Sequence, residues 1–188
     1  MKNAIIFHGR PSRKEYLEQE YPSPSNSHWL PWLQRQLLRH GVLAQTPEIL
    51  EPYDPKYENW ASAIEQFNPD QDTTLVGHSC GAGMIAQWLS KNPDKKVGKV
   101  VLVAPWIDVE KDDWPAFDFE IDKNLTERTA GLTIFHSTDD VEEIQTSVKK
   151  LREELKDAKY VEFTGRGHFT HKYMPTDIFP ELLEECLK

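Results

Sequence analysis

The stretch TTLVGHSCGAGMIAQWL, residues 73–89, decides the fold because two periodicities meet within it. The β-branched run that ends at Gly77 is typical of a buried strand, and the amphipathic run after Ser79 is typical of a helix. Between these runs the letters GHSCG fit the pattern G-x-S-x-G. A strand that turns sharply into a helix at this pattern presents the serine hydroxyl above the edge of a sheet. The stretch therefore predicts Ser79 as a nucleophile.

The motif leaves two alternatives. Serine before an amphipathic run is also a common helix N-cap, so Ser79 could merely cap the helix. Cys80 could be the nucleophile, although its place after the serine favours the use of its backbone N–H as a hydrogen-bond donor to an oxyanion.

Short apolar runs and longer amphipathic runs alternate along the rest of the chain. The predicted strands are Ala4–Phe7, Val42–Ile49, Thr73–Gly77, Lys99–Ala104, Leu132–His136 and Tyr160–Phe163. The predicted helices are His28–His40, Glu58–Phe67, Ser79–Lys91, Val141–Leu155 and Thr176–Leu187. Because right-handed crossovers place helices on both sides of a parallel sheet, we predict an α/β fold: an open, doubly wound parallel sheet of about six strands with helices on both faces.

The clearest helix pattern lies near the carboxyl-terminal third of the chain. The apolar residues advance there in steps of three and four, which predicts one buried face toward the sheet. These residues are Val141, Ile144, Val148, Leu151 and Leu155.

Residues 105–130 break the alternation, because they are rich in Asp, Trp and Phe and have no long periodic run. We expect them to form a short cap over the site. Since the sequence has no repeat and no low-complexity linker, residues 1–188 are predicted to be a single domain.

The composition disfavours several classes of protein. The net charge of −9 disfavours binding to nucleic acid, and no run approaches the roughly 20 apolar residues of a membrane span. The apolar run in MKNAIIFHGR is too short for a signal peptide, so a cytoplasmic location is expected. Cys80 and Cys186 are too few for a disulfide framework and lack zinc-site spacing, which predicts two thiols and neither metal nor cofactor.

A nucleophilic serine needs a histidine to remove its proton and a carboxylate to orient that histidine. Two later strands run into candidates in the order serine, acid, histidine. Asp139 and Asp140 follow one strand, and His168 follows the next in a glycine-containing loop. His171 is the nearest rival for the base. Either aspartate could instead cap the following helix, and position alone favours Asp140 only slightly.

Taken together, these segments resemble the α/β-hydrolase superfamily, and within it the small serine hydrolases similar to retinoblastoma-binding protein 9 and the YdeN-like proteins. The matching segments, in chain order, are AIIFHG, SHWLPWLQRQL, LVGHSCGA, VVLVAPW, STDD and GRGHF. The resemblance implies that Asp140 is the acid, with Asp139 as the alternative. Retinoblastoma binding is not carried over, since the chain has no L-x-C-x-E segment.

By the same resemblance, a second oxyanion donor should be a backbone N–H after the first strand, with Arg10 favoured and Gly9 next. His8 is expected either to contact substrate or to be a structural residue at the end of the strand. The polar loop at residues 8–29 departs from the shorter, glycine-rich passage of relatives. The sequence after Asp140 also lacks the proline-containing segment that often follows the acid.

The six tryptophans supply candidates for the substrate pocket. Most lie in predicted helices, where packing against the sheet is their default role. Trp106 follows the strand next to the motif, Trp114 lies in the predicted cap, and Trp29 is a candidate for the rim.

These features predict a metal-independent, carboxylesterase-like serine hydrolase with a small-molecule ester as substrate. Ser79 would attack a small or medium carboxylic ester and form an acyl-enzyme, with His168 as base and acid. Amide or thioester hydrolysis is an alternative. A binding or scaffold protein that keeps the fold with little turnover is the contrasting class, because a fold does not establish an activity.

Overall fold

Six parallel strands form one sheet in the computed structural model, which describes residues 2–109 and 115–188. The strands are β1 (Asn3–Phe7), β2 (Leu43–Gln45), β3 (Thr73–His78), β4 (Val100–Val103), β5 (Leu132–Ser137) and β6 (Lys159–Phe163). They pair in the order β2-β1-β3-β4-β5-β6. The strand with the G-x-S-x-G motif is therefore central, and the predicted open parallel sheet is confirmed.

Helices cover both faces of this sheet. They are α1 (Arg13–Leu17), α2 (Leu30–Arg39), α3 (Tyr57–Gln66), α4 (Cys80–Lys91), α5 (Glu142–Glu154) and α6 (Pro180–Leu187). Since successive strand residues point to opposite faces, Phe7 packs in the cluster that contains α3 and α4, whereas Ile6 packs in the cluster that contains α2 and α6. The doubly wound arrangement is confirmed.

Among the strands and α-helices, three differ from the sequence prediction by more than two residues at one end or were not predicted. β2 ends at Gln45 rather than Ile49, since Pro47 two residues further on has no N–H for a ladder. α6 begins at Pro180 rather than Thr176, because proline suits the first helical position. The short helix α1 was not predicted, although Ser12 and Glu15 form a capping box at its start.

The buried stripe of α5 is correct except at its first residue. Ile144, Val148, Leu151 and Leu155 are buried, but Val141 is 47% exposed. Val141 is the N-cap residue, with extended backbone (φ −63°, ψ 155°), so it lies outside the helical face that the periodicity describes. The prediction that Val141 packs against the sheet is wrong.

The predicted cap falls partly on residues 110–114, so Trp114 lies outside the described residues. The later part of the excursion packs along α4. Gln87 Nε2 donates to the carbonyl of Ala116 (2.7 Å), and Arg128 donates to the carbonyl of Leu89 (2.9 Å) near the end of α4. Residues 115–130 are not among the described residues that line the cavity at Ser79.

Within the described residues, no helix is long and apolar enough to cross a membrane.

A buried carboxylate fixes α6 to the sheet at the amino ends of the strands. Glu185 is 4% exposed. It accepts hydrogen bonds from Lys159 Nζ (2.7 Å), Thr133 Oγ1 (2.9 Å) and Lys188 Nζ (3.1 Å), and Lys99 Nζ lies 3.4 Å away. Burial alone would raise the pKa of Glu185, but these donors outweigh it and lower the pKa to about 2.

Glu185→Gln is expected to lower the free energy of unfolding at pH 7 by about 2 kcal/mol, because the three lysines lose their anion. A carboxyl whose pKa is lower in the folded state stabilises the fold at pH values above its pKa in the unfolded chain. The difference in free energy of unfolding between the wild type and Glu185→Gln should therefore shrink as the pH falls from 4.5 toward 2. Urea denaturation at several pH values measures this. Glu184→Gln, at the exposed neighbour, is the control, and a pH-independent loss in Glu185→Gln would contradict the assignment.

Candidate active site

Ser79 lies in the turn between β3 and α4, with φ 53° and ψ −120°. Residues other than glycine seldom adopt positive φ, and such strain is stored where the surroundings fix it. The backbone N–H of Ser79 donates to the carbonyl of Val103 (2.9 Å). Its own carbonyl accepts from the N–H groups of Gly83 and Trp106 (both 3.1 Å). The turn is thus held by the neighbouring strand and by the segment that follows it.

The two glycines of the motif permit close packing of α4. A Cβ at Gly77 would lie 2.6 Å from the backbone of Ala82, and one at Gly81 would lie 2.4 Å from the carbonyl oxygen of His8. Any larger residue would push α4 away from β3 or from the end of β1.

Neither alternative for the motif is supported by the geometry. Among the described residues, Ser79 makes no side-chain capping hydrogen bond to α4. The Cys80 thiol is buried, and this burial raises its pKa to about 12 although the Arg10 guanidinium and backbone N–H act in the opposite direction. Since the thiolate is the reactive form, a thiol that stays protonated at neutral pH is a poor nucleophile.

His168 is paired with Asp140. His168 Nδ1 lies 3.0 Å from Oδ2 and 3.1 Å from Oδ1 of Asp140. The Asp140 side chain has no exposed surface, whereas that of His168 is 22% exposed. An ionised carboxylate only accepts hydrogen bonds, so Nδ1 carries the proton and Nε2 is left as an acceptor. His168 and Ser79 line the same cavity.

Asp139 has a different part in the site. Its Oδ1 accepts from Ser137 Oγ (2.5 Å) and from the backbone N–H groups of Gly165 (2.9 Å) and Gly167 (3.3 Å). The Ser137 hydroxyl and then these N–H groups lower the pKa of Asp139. Asp139 therefore ties the end of β5 to the loop that carries His168. Sequence reasoning gave Asp139 as the alternative acid. The glycines before His168 were the available signal that a carboxylate could bind the backbone N–H groups of this loop.

His171 lies outside the group of residues around Ser79. Its Nδ1 pairs with Asp177 Oδ1 (2.8 Å), and its Nε2 accepts the backbone N–H of His28 (2.8 Å). In return, the backbone N–H of His171 donates to His28 Nδ1 (3.3 Å). The two histidines join the loop before α2 to the loop after β6. Among the described residues, His171 does not line the Ser79 cavity.

The cavity at Ser79 has a volume of about 650 Å³. It is lined by Arg10, Ser79, Cys80, Trp106, Ile107, Asp108, Val109, Val141, Glu142, Glu143, Ile144, Thr146 and His168. Trp106 lies in the wall of this cavity, and its ring packs edge-on against Phe117, with centroids 4.5 Å apart. Cys80 and Arg10, the two predicted oxyanion donors, line the same cavity as Ser79.

Trp29 and His8 do not reach this cavity. Trp29 is fully buried and packs edge-on against Phe179, so its prediction as a rim residue is wrong. His8 is 1% exposed. Its Nδ1 bonds the carbonyl of Gly9 (2.7 Å) and its Nε2 accepts from the N–H of Ile49 (3.1 Å). With both ring nitrogens engaged inside the fold, the substrate-contact prediction for His8 is wrong and the structural alternative holds.

Gly9 lies directly behind Ser79. A Cβ there would be 3.0 Å from Ser79 Cβ, so a larger residue would crowd the turn. Gly9 is not among the described residues that line the cavity, which argues against direct contact with substrate.

Within residues 2–109 and 115–188, no group of three or more His, Cys, Asp or Glu side chains is placed to hold a metal ion.

The sheet order, together with a serine at the β3–α4 turn, defines the α/β-hydrolase class. A family model described as serine hydrolase matches residues 19–174, and the chain belongs to this family. It is similar to YdeN of Bacillus subtilis (strain 168), whose name describes it as a hydrolase, with 31% identity over 96 residues. That match covers 50% of each protein, so the chain spans about half the length of this curated relative.

Solved structures share the fold over the whole chain. The crystal structure of the B. subtilis ydeN gene product has a TM-score of 0.80 at 24% identity and covers 98% of this chain and 96% of that one. The structure of Est1E from Butyrivibrio proteoclasticus with bound ferulic acid has a TM-score of 0.66 at 14% identity and covers 100% and 90%. The α/β-hydrolase fold of the YdeN type is therefore confirmed, while the likeness to retinoblastoma-binding protein 9 stays a prediction.

The pairing of His28 with His171 should make stability depend on pH. Burial, followed by the nearby His171 and His168, lowers the pKa of His28 to about 4, while Glu15 acts in the opposite direction. The folded state holds His28 neutral, whereas the unfolded chain takes up a proton near pH 6.5. The contribution of neutral His28 to the free energy of unfolding is therefore complete above pH 6.5 and is lost as the pH falls toward 4.

His28→Gln removes this titration, so its free energy of unfolding should depend on pH less steeply near pH 5, by about 1 kcal/mol per pH unit. Denaturant unfolding between pH 4 and 7 tests this. His40→Gln, at an exposed histidine on the end of α2, is the matched control. Equal slopes for His28→Gln and the wild type would contradict the assignment.

Proposed function

We propose that this serine hydrolase cleaves small or medium carboxylic esters through an acyl-enzyme, with Ser79 as nucleophile, His168 as base and Asp140 as the acid that orients His168. One observation carries the proposal. The His168 ring is held by the buried Asp140 carboxylate at 3.0 Å, and it lines the same cavity as a serine in a strained strand-to-helix turn. That combination of a held imidazole and a presented hydroxyl is what nucleophilic catalysis by serine requires.

In the first step the Ser79 Oγ–H proton passes to His168 Nε2 while Oγ bonds the carbonyl carbon of the ester. The carbonyl π electrons move to oxygen, and the imidazolium that forms is stabilised by the buried Asp140 carboxylate. The backbone N–H groups of Cys80 and Arg10 are our proposed donors to the oxyanion. Helix α4 begins at Cys80, and the positive end of its dipole lies there.

In the second step the C–O bond to the alcohol breaks, and His168 returns its proton to the departing alkoxide. Water then attacks the acyl-enzyme and gives a proton to His168 Nε2. When the bond between the acyl carbon and Ser79 Oγ breaks, that proton restores the serine hydroxyl. The products are a carboxylic acid and an alcohol, and the enzyme is unchanged.

The cavity supports the proposed substrate size. Its volume of about 650 Å³ lies in the range of small-molecule sites. Trp106, Ile107 and Ile144 offer an apolar wall for an acyl group. The structural neighbour Est1E binds ferulic acid, an aromatic carboxylic acid, so an aromatic ester should be assayed beside a short aliphatic one. The cytoplasmic location and the absence of nucleic-acid and membrane partners stay predictions of the sequence.

Ser79→Ala is expected to abolish labelling by a fluorophosphonate, which reacts with activated serines. The wild type and Ser62→Ala, a change at an exposed serine of α3, should label equally. Labelling is read by fluorescence after gel electrophoresis, and circular dichroism verifies that each protein is folded. Folded wild type that does not label would overturn the enzyme proposal in favour of a binding protein that keeps the fold.

Asp140→Asn should lower kcat for p-nitrophenyl acetate at least a hundredfold, since neutralising a triad acid lowers kcat by up to about 10⁴-fold. Asp139→Asn should cost less, because Asp139 bonds the loop backbone rather than the His168 ring. The two changes are isosteric and adjacent, so each serves as the control for the other. The acid assignment would be wrong if Asp139→Asn abolished turnover and Asp140→Asn left it intact.

A further inference from the structure

One side chain links the nucleophile turn to the loop of the proposed base. His78 is the last residue of β3 and directly precedes Ser79. Its Nε2 lies 2.8 Å from the backbone carbonyl oxygen of His168. Because a carbonyl oxygen only accepts, His78 Nε2 must carry a proton and donate it. The hydrogen bond spans 90 residues of sequence.

The His78 ring is enclosed on several sides. It is 3% exposed, and its centroid lies 5.0 Å from that of His168, 5.7 Å from that of Trp29 and 5.8 Å from that of His28. The contacts with Trp29 and His28 are edge-on, at 73° and 76°. With rings packed around it, the imidazole is held in one orientation and its Nε2–H stays directed at the loop.

The loop that His78 holds has little regular structure of its own. Three of its residues have positive φ: Gly165 (79°), Gly167 (44°) and Phe169 (54°). Asp139 binds its first half through the N–H groups of the two glycines. His168 itself receives the His78 bond on its main chain and the Asp140 bond on its ring.

We propose that His78 is a positioning residue that sets the distance between Ser79 and the His168 ring. This inference rests on the proposed roles of Ser79 and His168. His78 cannot move without moving Ser79, because the two residues are adjacent in the chain. The Nε2–H group of His78 also fixes the main chain of His168, so Ser79 and His168 share one rigid connection. Small displacements of a catalytic group are costly, about a hundredfold for 1 Å.

The charge of His78 also suits this position. Burial, then the neighbouring His168 and His28, hold the pKa of His78 well below its ordinary value, while the bond to the His168 carbonyl acts in the opposite direction. A neutral ring donates a hydrogen bond without placing a positive charge beside the imidazole that becomes protonated during the reaction. Lysine or arginine would supply a donor there but would oppose that protonation.

The test compares His78→Phe, which removes the donor but keeps an aromatic ring, with His78→Gln, whose amide nitrogen can replace Nε2. Turnover of p-nitrophenyl acetate is expressed per site titrated with fluorophosphonate, so that a smaller fraction of folded protein does not lower the measured kcat. We expect kcat of His78→Phe to fall ten- to a hundredfold with KM within about twofold, and His78→Gln to recover most of it. Unchanged kcat in His78→Phe, or no recovery in His78→Gln, would overturn the proposal.

His136→Gln is the matched control. His136 is also a buried histidine near the end of a strand, but it bonds Arg152 and faces Glu162 instead of the His168 loop. Its kcat per titrated site should match that of the wild type.

If His78→Phe does not fold, His78→Asn replaces it, because the shorter side chain does not carry its amide to the His168 carbonyl.

A second measurement needs no turnover. Hydrogen exchange followed by mass spectrometry should show faster exchange of the amides at residues 165–170 in His78→Phe, by about tenfold, and near wild-type exchange in His78→Gln. Unchanged exchange in His78→Phe would sink the positioning role. Wild type that neither labels nor turns over, yet shows this exchange pattern, would remove the proposed function and leave the link between the two loops intact.

Discussion

The strained backbone of Ser79 is the constraint on which the other parts of this structure depend. A positive φ at a residue with a side chain costs on the order of 1–3 kcal/mol and persists only where neighbours fix it. β4 supplies one support through the carbonyl of Val103, and the carbonyl of Ser79 accepts from the N–H of Trp106. The same hydrogen bonds thus hold the serine and set the start of the cavity wall at Trp106. The Ser79 turn and the cavity wall at Trp106 are consequently one unit rather than two independently placed features.

Much of the fold could be predicted because buried parallel strands and amphipathic helices leave strong periodic signals. Each of the six predicted strands and five predicted helices overlaps an observed element, and the largest errors in their bounds fall where local chemistry overrides periodicity. Pro47 follows the end of β2, and Pro180 sets the start of α6. Val141 has an apolar side chain at the correct spacing, but the helix has not yet begun at that residue, so its side chain faces the cavity instead of the core.

The site was less predictable, because a motif identifies a residue type and not the direction of its side chain. Asp139 and Asp140 are adjacent in sequence, yet one binds loop N–H groups and the other binds the His168 ring. The two residue types are identical, so position favoured Asp140 only slightly and the assignment came from the family resemblance; the difference arises from a loop that begins about 25 residues later. Trp29 and His8 were expected near substrate from their position along the chain, but both point into the core, where burial of a large ring is favourable.

Carboxylates at the amino ends and at the carboxyl ends of the strands have different electrostatic surroundings. At the amino ends, Glu185 is surrounded by three lysines, and such saturation suits a carboxylate whose task is to hold α6 in place. At the carboxyl ends, the proposed role of Asp140 is to orient one imidazole, and a lysine beside it would compete for the carboxylate and stabilise His168 in its neutral form. The supports found there are accordingly a neutral buried histidine, His78, and backbone hydrogen bonds from loop glycines to Asp139. Uncharged donors therefore fix these loops, and the Asp140 carboxylate, which also accepts the backbone N–H of Val141 (2.7 Å), keeps its ionic interaction for the His168 ring.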